Sequence, residues 1–288
     1  MAEATERTYT DARGVEIVFD HYAAATEPRA VVQLLHGIGE HARRYGNLID
    51  ALTADGYVVY ADDHRGHGRT GERQHGGDPD KIGHLGVGGL RATVDALWQF
   101  TQLIRAENPD LPLIILGHSW GSFMTQRLFD KHTDSYDAVV LSGSAYRMLG
   151  YMNVGNLNKR WESKTSNGTE WMASDPAVGE AFLADPYGTT EPMQRLFSLP
   201  DQMRILGRPA RDIRPQRPVL LMVGEDDSLG GPRSINKLAD VYRTRSGLDD
   251  VTVIVYPGAR HEIFNEPIQG DVRDDLLAWL DKRIPVRD

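Results

Sequence analysis

Short apolar runs and amphipathic stretches alternate along most of the chain. Ala30–Leu35, Tyr57–Ala61, Leu113–Leu116, Ala138–Leu141, Val219–Val223 and Val251–Tyr256 are rich in Val, Ile and Leu, as strands buried on both faces are. Between them lie helical spacings. Arg43–Asp55 carries Tyr45, Leu48, Ile49 and Leu52 on one face and stops at Gly56. Gly89–Glu107 aligns Leu90, Val94, Leu97, Trp98, Thr101 and Ile104. Further helices are expected from Gly121 to about His132, over Pro232–Arg245 and over Ile268–Arg283. Near the start, Thr8–Tyr22 reads as a hairpin around the turn cluster Asp11-Ala12-Arg13-Gly14. This alternation predicts an α/β fold with a mostly parallel sheet flanked by helices, the hairpin adding antiparallel strands at one edge.

The rhythm breaks between Ala145 and Arg217. No strand pattern occurs there, and the stretch is far too long for a bare loop. The expectation is a helical insertion, residues 145–217, between core segments 1–144 and 218–288. It follows a strand C-terminus, where such folds place their ligand crevice, so it is expected to act as a cap.

With 288 residues, 40% hydrophobic and 25% charged, the chain has the composition of a globular protein and can bury a sizeable core. The net charge of −9 lacks the basic footprint of a nucleic-acid binder. The absence of cysteine excludes disulfides, a thiolate nucleophile and cysteine-ligated metals. No secretory leader and no apolar run of about 20 residues is visible. The expectation is a cytoplasmic protein without membrane insertion; the oligomeric state stays open.

Candidate chemistry concentrates at strand ends. Gly117-His118-Ser119-Trp120-Gly121 matches G-x-S-x-G between an expected strand and helix, the setting of a nucleophile elbow. A serine hydroxyl needs a base. His261 follows the strand Val251–Tyr256, and the carboxylates Glu225, Asp226 and Asp227 follow Val219–Val223. Both loops therefore rise at the same edge as Ser119. The offset from the strand end favours Asp227 as the acid that orients His261, with Asp226 the alternative. His36-Gly37-Ile38-Gly39, after the strand Ala30–Leu35, can offer the Ile38 N–H to an oxyanion, and Trp120 N–H supplies a second donor.

Asp62-Asp63-His64-Arg65-Gly66-His67-Gly68 matches no metal-ligand spacing and reads as a structural turn. Gly66, Gly68 and Gly71 fit G-x-G-x-x-G, but the polar, glycine-containing stretch after them is expected to open no helix, which removes a dinucleotide reading.

Together these residues resemble the monoacylglycerol lipase and lysophospholipase branch of the α/β-hydrolases. The resemblance rests on His36-Gly37-Ile38-Gly39-Glu40-His41 with Arg44-Tyr45, on Asp63-His64-Arg65-Gly66-His67-Gly68, on the elbow, and on Tyr256-Pro257-Gly258 with His261-Glu262 and Phe264-Asn265-Glu266. It spans most of the chain and is weakest in the insertion. It implies Ser119, Asp227 and His261 as a catalytic triad and Ile38 and Trp120 as oxyanion donors. Glu40 and Arg44 are implied at the polar, substrate-binding end of the pocket. No metal or organic cofactor is needed. Two departures stand out. Trp120 and Ser122 replace the Met or Gln and the second Gly usual in the family, and Tyr151–Trp171 is polar where a lipase docking on lipid wants an apolar surface.

The resulting expectation is a serine carboxylester hydrolase acting on a small or medium apolar ester. Alternatives on the same fold are a lysophospholipase, an amide, peptide or C–C bond hydrolase, and a silent ligand-binding protein. A peptidase needs an acidic subsite for the substrate amine, for which Glu162, Glu170 and Glu180 are the candidates.

Overall fold

A computed structural model describes residues 2–284; Met1 and residues 285–288, which the sequence reading includes in the core segments, lie outside the described residues. Among the described residues eight strands form one sheet: β1 (Ala4–Thr10), β2 (Glu16–Tyr22), β3 (Ala30–Leu35), β4 (Tyr57–Asp62), β5 (Leu113–His118), β6 (Ala138–Ser142), β7 (Val219–Gly224) and β8 (Val251–Tyr256). Their spatial order is β1-β2-β4-β3-β5-β6-β7-β8. The β1–β2 hairpin and the β2–β4 pair are antiparallel; every pair from β4 to β8 is parallel.

Strands β3 to β7 are buried along their whole length, which explains why they are apolar runs rather than alternating ones. Alternate residues feed opposite faces. Val31, Leu35 and Ile115 pack with Leu97, Leu128 and Leu238 on one side. Val32, Leu34 and Ile114 pack with Leu48, Leu52 and Leu276 on the other. These partners come from α1 (Gly46–Ala54), α3 (Gly89–Glu107), α4 (Trp120–Lys131), α8 (Gly231–Thr244) and α9 (Gln269–Asp281).

Two expectations are corrected. A helix does open at the glycine-rich turn: α2 (Gly68–Gln74). The Asp63 carboxylate accepts the Arg69 N–H at 2.9 Å, so the helix start is capped from within the turn and forms despite its polar sequence. The insertion is only partly helical. Among the described residues it holds α5 (Pro176–Ala184), α6 (Met193–Leu196) and α7 (Leu199–Ile205), and residues 145–175 form none. There the Asn side chains bond to nearby backbone and hold turns instead. Gly155 N–H donates to Asn153 Oδ1 (2.9 Å), Asn158 N–H to Asn156 Oδ1 (2.9 Å) and Trp171 N–H to Asn158 Oδ1 (2.9 Å). Among the described residues no helix is long and apolar enough to cross a membrane.

Because β3 to β8 run parallel, the loops after β3, β5, β7 and β8 emerge at one edge. The insertion leaves from β6 at that edge.

Candidate active site

Ser119 joins β5 to α4 with φ 53° and ψ −123°, a conformation that costs a residue bearing a Cβ about 1–3 kcal/mol. The flanking glycines make the turn possible. A Cβ on Gly117 would stand 2.3 Å from Thr125 Oγ1, and one on Gly121 would stand 2.4 Å from the carbonyl oxygens of Leu35 and His36. Ser119 is thus forced up at the N-terminus of α4, where backbone N–H groups favour negative charge.

His261 Nδ1 lies 3.0 Å from Asp227 Oδ2, and both side chains are buried. A carboxylate can only accept, so Nδ1 donates and Nε2 is left as the basic atom. Nε2 is buried without a protein hydrogen-bond partner among the described residues; serine–histidine bonds often tighten only when substrate arrives. Burial alone pulls the His261 pKa down, but the Asp227 charge and hydrogen bond, with Glu262 and Glu40 nearby, hold it above the ordinary histidine value. Asp227 Oδ1 is fixed by the Leu229 N–H at 2.8 Å. Asp226 pairs with Arg160 at 2.5 Å, and Glu225 is exposed and accepts the Gly258 N–H.

The loop after β3 lies against the serine: a methyl on Gly37 would sit 3.1 Å from Ser119 Cβ. The Gly37 N–H is committed to Glu40 Oε1 at 2.6 Å, so Ile38 is the next donor along the loop. Behind it, buried imidazoles stack. The His36 and His64 rings are 3.8 Å apart, and the Trp120 indole packs on His67 at 5.1 Å and edge-on to His64 at 5.8 Å. His36 Nδ1 donates to the Gly37 carbonyl (2.6 Å), and His36 Nε2 accepts from the His64 N–H (3.0 Å). His64 faces Asp62 at 2.9 Å, and Asp63 holds Ala42 N–H and Arg69. The Asp62–Gly68 turn thus bonds to neighbouring protein groups, among them Asp11, His36, Ala42 and Arg69. Trp120 is 2% exposed.

Arg44 donates to Glu40 Oε2 (2.7 Å) and, in bidentate fashion, to both Glu262 oxygens (3.0 Å each). Desolvation disfavours its charge, yet the two carboxylates hold its pKa above the usual arginine value. Burial and the Glu40 charge push the Tyr45 phenol well up. Glu40 and Arg44 both face the pocket, with most of their charge spent on each other and on Glu262.

These groups line a cavity of about 550 Å³ that contains Ser119 and His261 in its wall. Its apolar surface comes from Phe123, Met152, Leu157, Met172, Met193 and Leu229, and its polar end from Glu40, Arg44 and Glu262. The insertion supplies much of the wall. Contacts to the loops after β3 and β8 tie it to the site. His41 Nε2 meets Asp185 at 2.7 Å, Thr189 N–H donates to Gly39 O at 2.9 Å, Glu262 N–H donates to Met172 O at 2.7 Å, and Ser174 N–H donates to Glu266 at 3.0 Å. Trp171, whose ring lies 4.8 Å from that of His261, and Phe182 carried no recognisable signal in the sequence. Of the acidic-subsite candidates, Glu170 is bonded to Asn158 and Asn167 and Glu162 to Asn156. Neither of these, nor Glu180, is in the cavity wall.

A serine on a strained elbow, a buried carboxylate–histidine pair and a glycine-lined loop at one sheet edge define a serine hydrolase of the α/β-hydrolase class. A family model described as serine aminopeptidase, S33, matches residues 26–268. The chain belongs to this family, in its monoacylglycerol-lipase-like branch. It is 32% identical over 296 residues to the monoacylglycerol lipase of Mycolicibacterium smegmatis, covering 96% of each chain. It is 25% identical to the monoglyceride lipase of Mus musculus, covering 95% of this chain and 89% of that one. In fold it is similar to a thermostable carboxyl esterase from Bacillus coagulans in complex with glycerol (TM-score 0.86, 24% identity, 99% of both chains). It is also similar to a soluble variant of monoglyceride lipase from Saccharomyces cerevisiae in complex with a substrate analogue (TM-score 0.76, 23% identity, 99% and 96%).

Proposed function

We propose that this chain hydrolyses a monoester of an apolar acid and a small polar alcohol, a monoacylglycerol being the leading case, through an acyl-enzyme on Ser119. The observation that carries this reading is the His261–Asp227 pair at 3.0 Å beside a serine with φ 53° in the wall of a mostly apolar cavity. In the first half-reaction Ser119 Oγ attacks the ester carbonyl carbon while His261 Nε2 takes its proton. Asp227 keeps the ring in the required tautomer and stabilises the imidazolium. The Ile38 and Trp120 N–H groups hold the oxyanion. As the tetrahedral intermediate collapses, His261 gives the proton to the departing alcohol. Water repeats the sequence on the acyl-enzyme, releasing the acid and restoring Ser119. Every step uses a group of this chain. Residues 145–217 serve as the cap that selects substrate: their apolar side chains receive the acyl chain, and the alcohol lies towards Glu40 and Arg44. The cytoplasmic setting expected from the sequence belongs to the same reading, and cell fractionation checks it.

The test is a panel of short and long p-nitrophenyl esters, a monoacylglycerol, a lysophospholipid, a triacylglycerol and an aminoacyl amide, run with wild type and Ser119→Ala. Monoester cleavage lost by about 10⁴- to 10⁶-fold in the variant supports the reading. Equal inertness of both proteins on every ester sinks it.

A further inference from the structure

A guanidinium on the wall of an ester pocket is an ordinary anchor for a polar substrate group. At Arg44 both terminal nitrogens are already engaged. One donates to Glu40 and Glu262, the other to Glu262, and the Phe182 ring of α5 covers the guanidinium carbon at 4.9 Å. The two carboxylates lead in opposite directions. Glu40 Oε1 receives the Gly37 N–H at 2.6 Å and the Tyr45 hydroxyl at 2.7 Å, which fixes the His36–Gly37 peptide, one before the peptide that carries the Ile38 N–H. Glu262, steadied by Asn265 Nδ2 at 2.8 Å, is the residue after His261. All three side chains are nearly buried, at 10%, 5% and 6% exposed for Arg44, Glu40 and Glu262.

We propose that Arg44 is a positioning residue that locks the oxyanion loop to the loop carrying the catalytic histidine, through Glu40 on one side and Glu262 on the other. The inference rests on the roles proposed above for Ser119, His261 and Ile38. A planar fork spans two carboxylates in a fixed geometry that a single ammonium does not reproduce. The lock also sets the charge around the base. His261 is faced by Asp227 from the β7 loop, His118 from the end of β5, Glu262 from its own loop, Glu40 from the β3 loop and Trp171 from the insertion. The Arg260 guanidinium is turned away, onto the carbonyls of Glu170 and Ala173. Arg44 is thus the cation that offsets the two glutamates beside the histidine.

The experiment compares wild type, Arg44→Met, Arg44→Lys and Glu262→Gln, each checked for folding by circular dichroism and thermal melting. It measures kcat and KM across pH with the ester that wild type turns over fastest. For Arg44→Met the expected result is a fall in kcat of about 10²-fold, the scale of losing one oxyanion donor, with KM nearly unchanged. The acid limb of kcat/KM moves to higher pH, because two uncompensated carboxylates hold the His261 proton more tightly. Arg44→Lys returns the limb towards its wild-type position and recovers kcat only in part. Glu262→Gln moves the limb to lower pH. An Arg44→Met protein with raised KM and unchanged kcat and limb overturns the proposal and makes Arg44 a substrate anchor; one with all three unchanged overturns it too. If Arg44→Met does not fold, Glu262→Gln decides: an unmoved acid limb overturns the proposal. A wild type that cleaves no ester and resists fluorophosphonate labelling at Ser119 overturns the serine hydrolysis reading, and this inference with it. Failure of the inference alone shows in the variants while wild type stays active.

Discussion

Asp226 and Asp227 are neighbours in the chain with different partners. Asp227 lies 3.0 Å from His261 Nδ1, while Asp226 reaches outward to Arg160 in the insertion. Changing each to Asn therefore separates two roles. Asp227→Asn loses about 10⁴-fold in kcat, because an amide no longer enforces the tautomer that leaves Nε2 basic. Asp226→Asn keeps kcat close to wild type, since a half-exposed ion pair contributes about 0–1 kcal/mol to stability. Steady-state kinetics on one ester reads both.

The backbone of Ser119 makes a stability prediction that runs against the usual direction. Ser119→Gly removes the proposed nucleophile and relieves a positive-φ cost of about 1–3 kcal/mol, against about 0.4–1 kcal/mol of extra unfolded-chain entropy. The expected net gain over wild type is about 1 kcal/mol in urea unfolding. Ser119→Ala keeps its Cβ at φ 53° and gains none of it. Equal stability of the two variants would show that the elbow stores no strain.

Three buried histidines set the response to acid. Burial pushes His67 and His118 down to about 4 and His36 well below its ordinary value. Each is neutral when folded and takes up a proton on unfolding once the pH falls below about 6.5. Their contribution is complete above that pH and is lost as the pH drops towards 4, by about 1.4 kcal/mol per unit for each group. His261, whose pKa is raised, acts in the opposite sense: its contribution is present below about 6.5 and fades as the pH rises through its folded value. Urea unfolding between pH 7 and 4.5 checks this, with His67→Phe expected to flatten the slope by about one proton.

Gly143, just past β6, has φ 52°, and a methyl there would stand 2.8 Å from His118 Cε1 and 3.1 Å from His261 Cε1. Gly143→Ala is expected to cost about 1–3 kcal/mol in stability. It also lowers kcat by more than about tenfold, since a displaced base is a misaligned one. A variant that is destabilised yet fully active would show that His261 does not depend on this space.

Much of this arrangement is legible in the residues. Ala30–Leu35 and Gly89–Glu107 match β3 and α3 end to end, because a buried parallel strand and a long one-faced helix leave strong patterns. The offset after Val219–Val223 points at Asp227, the carboxylate found beside His261. α2 escapes notice because a side chain from the preceding turn, rather than helix propensity, organises its start. Residues 145–175 look like a helical cap by length alone, but their Asn, Ser and Gly bond locally. Arg44 and Glu262 are 218 residues apart, and no local pattern joins them. The same holds for Trp171, whose place beside His261 depends on how an irregular segment folds back.

The order in which these pieces occur also bears on biosynthesis. Ser119 follows β5, yet His261 arrives only after β6, the insertion, β7 and β8. A chain made from its N-terminus carries Ser119 long before it holds either Asp227 or His261. A polypeptide stopped short of His261 is therefore expected to carry an inert hydroxyl, and hydrolysis to begin only once the loop after β8 has been made and has reached Ser119 at the edge of the sheet.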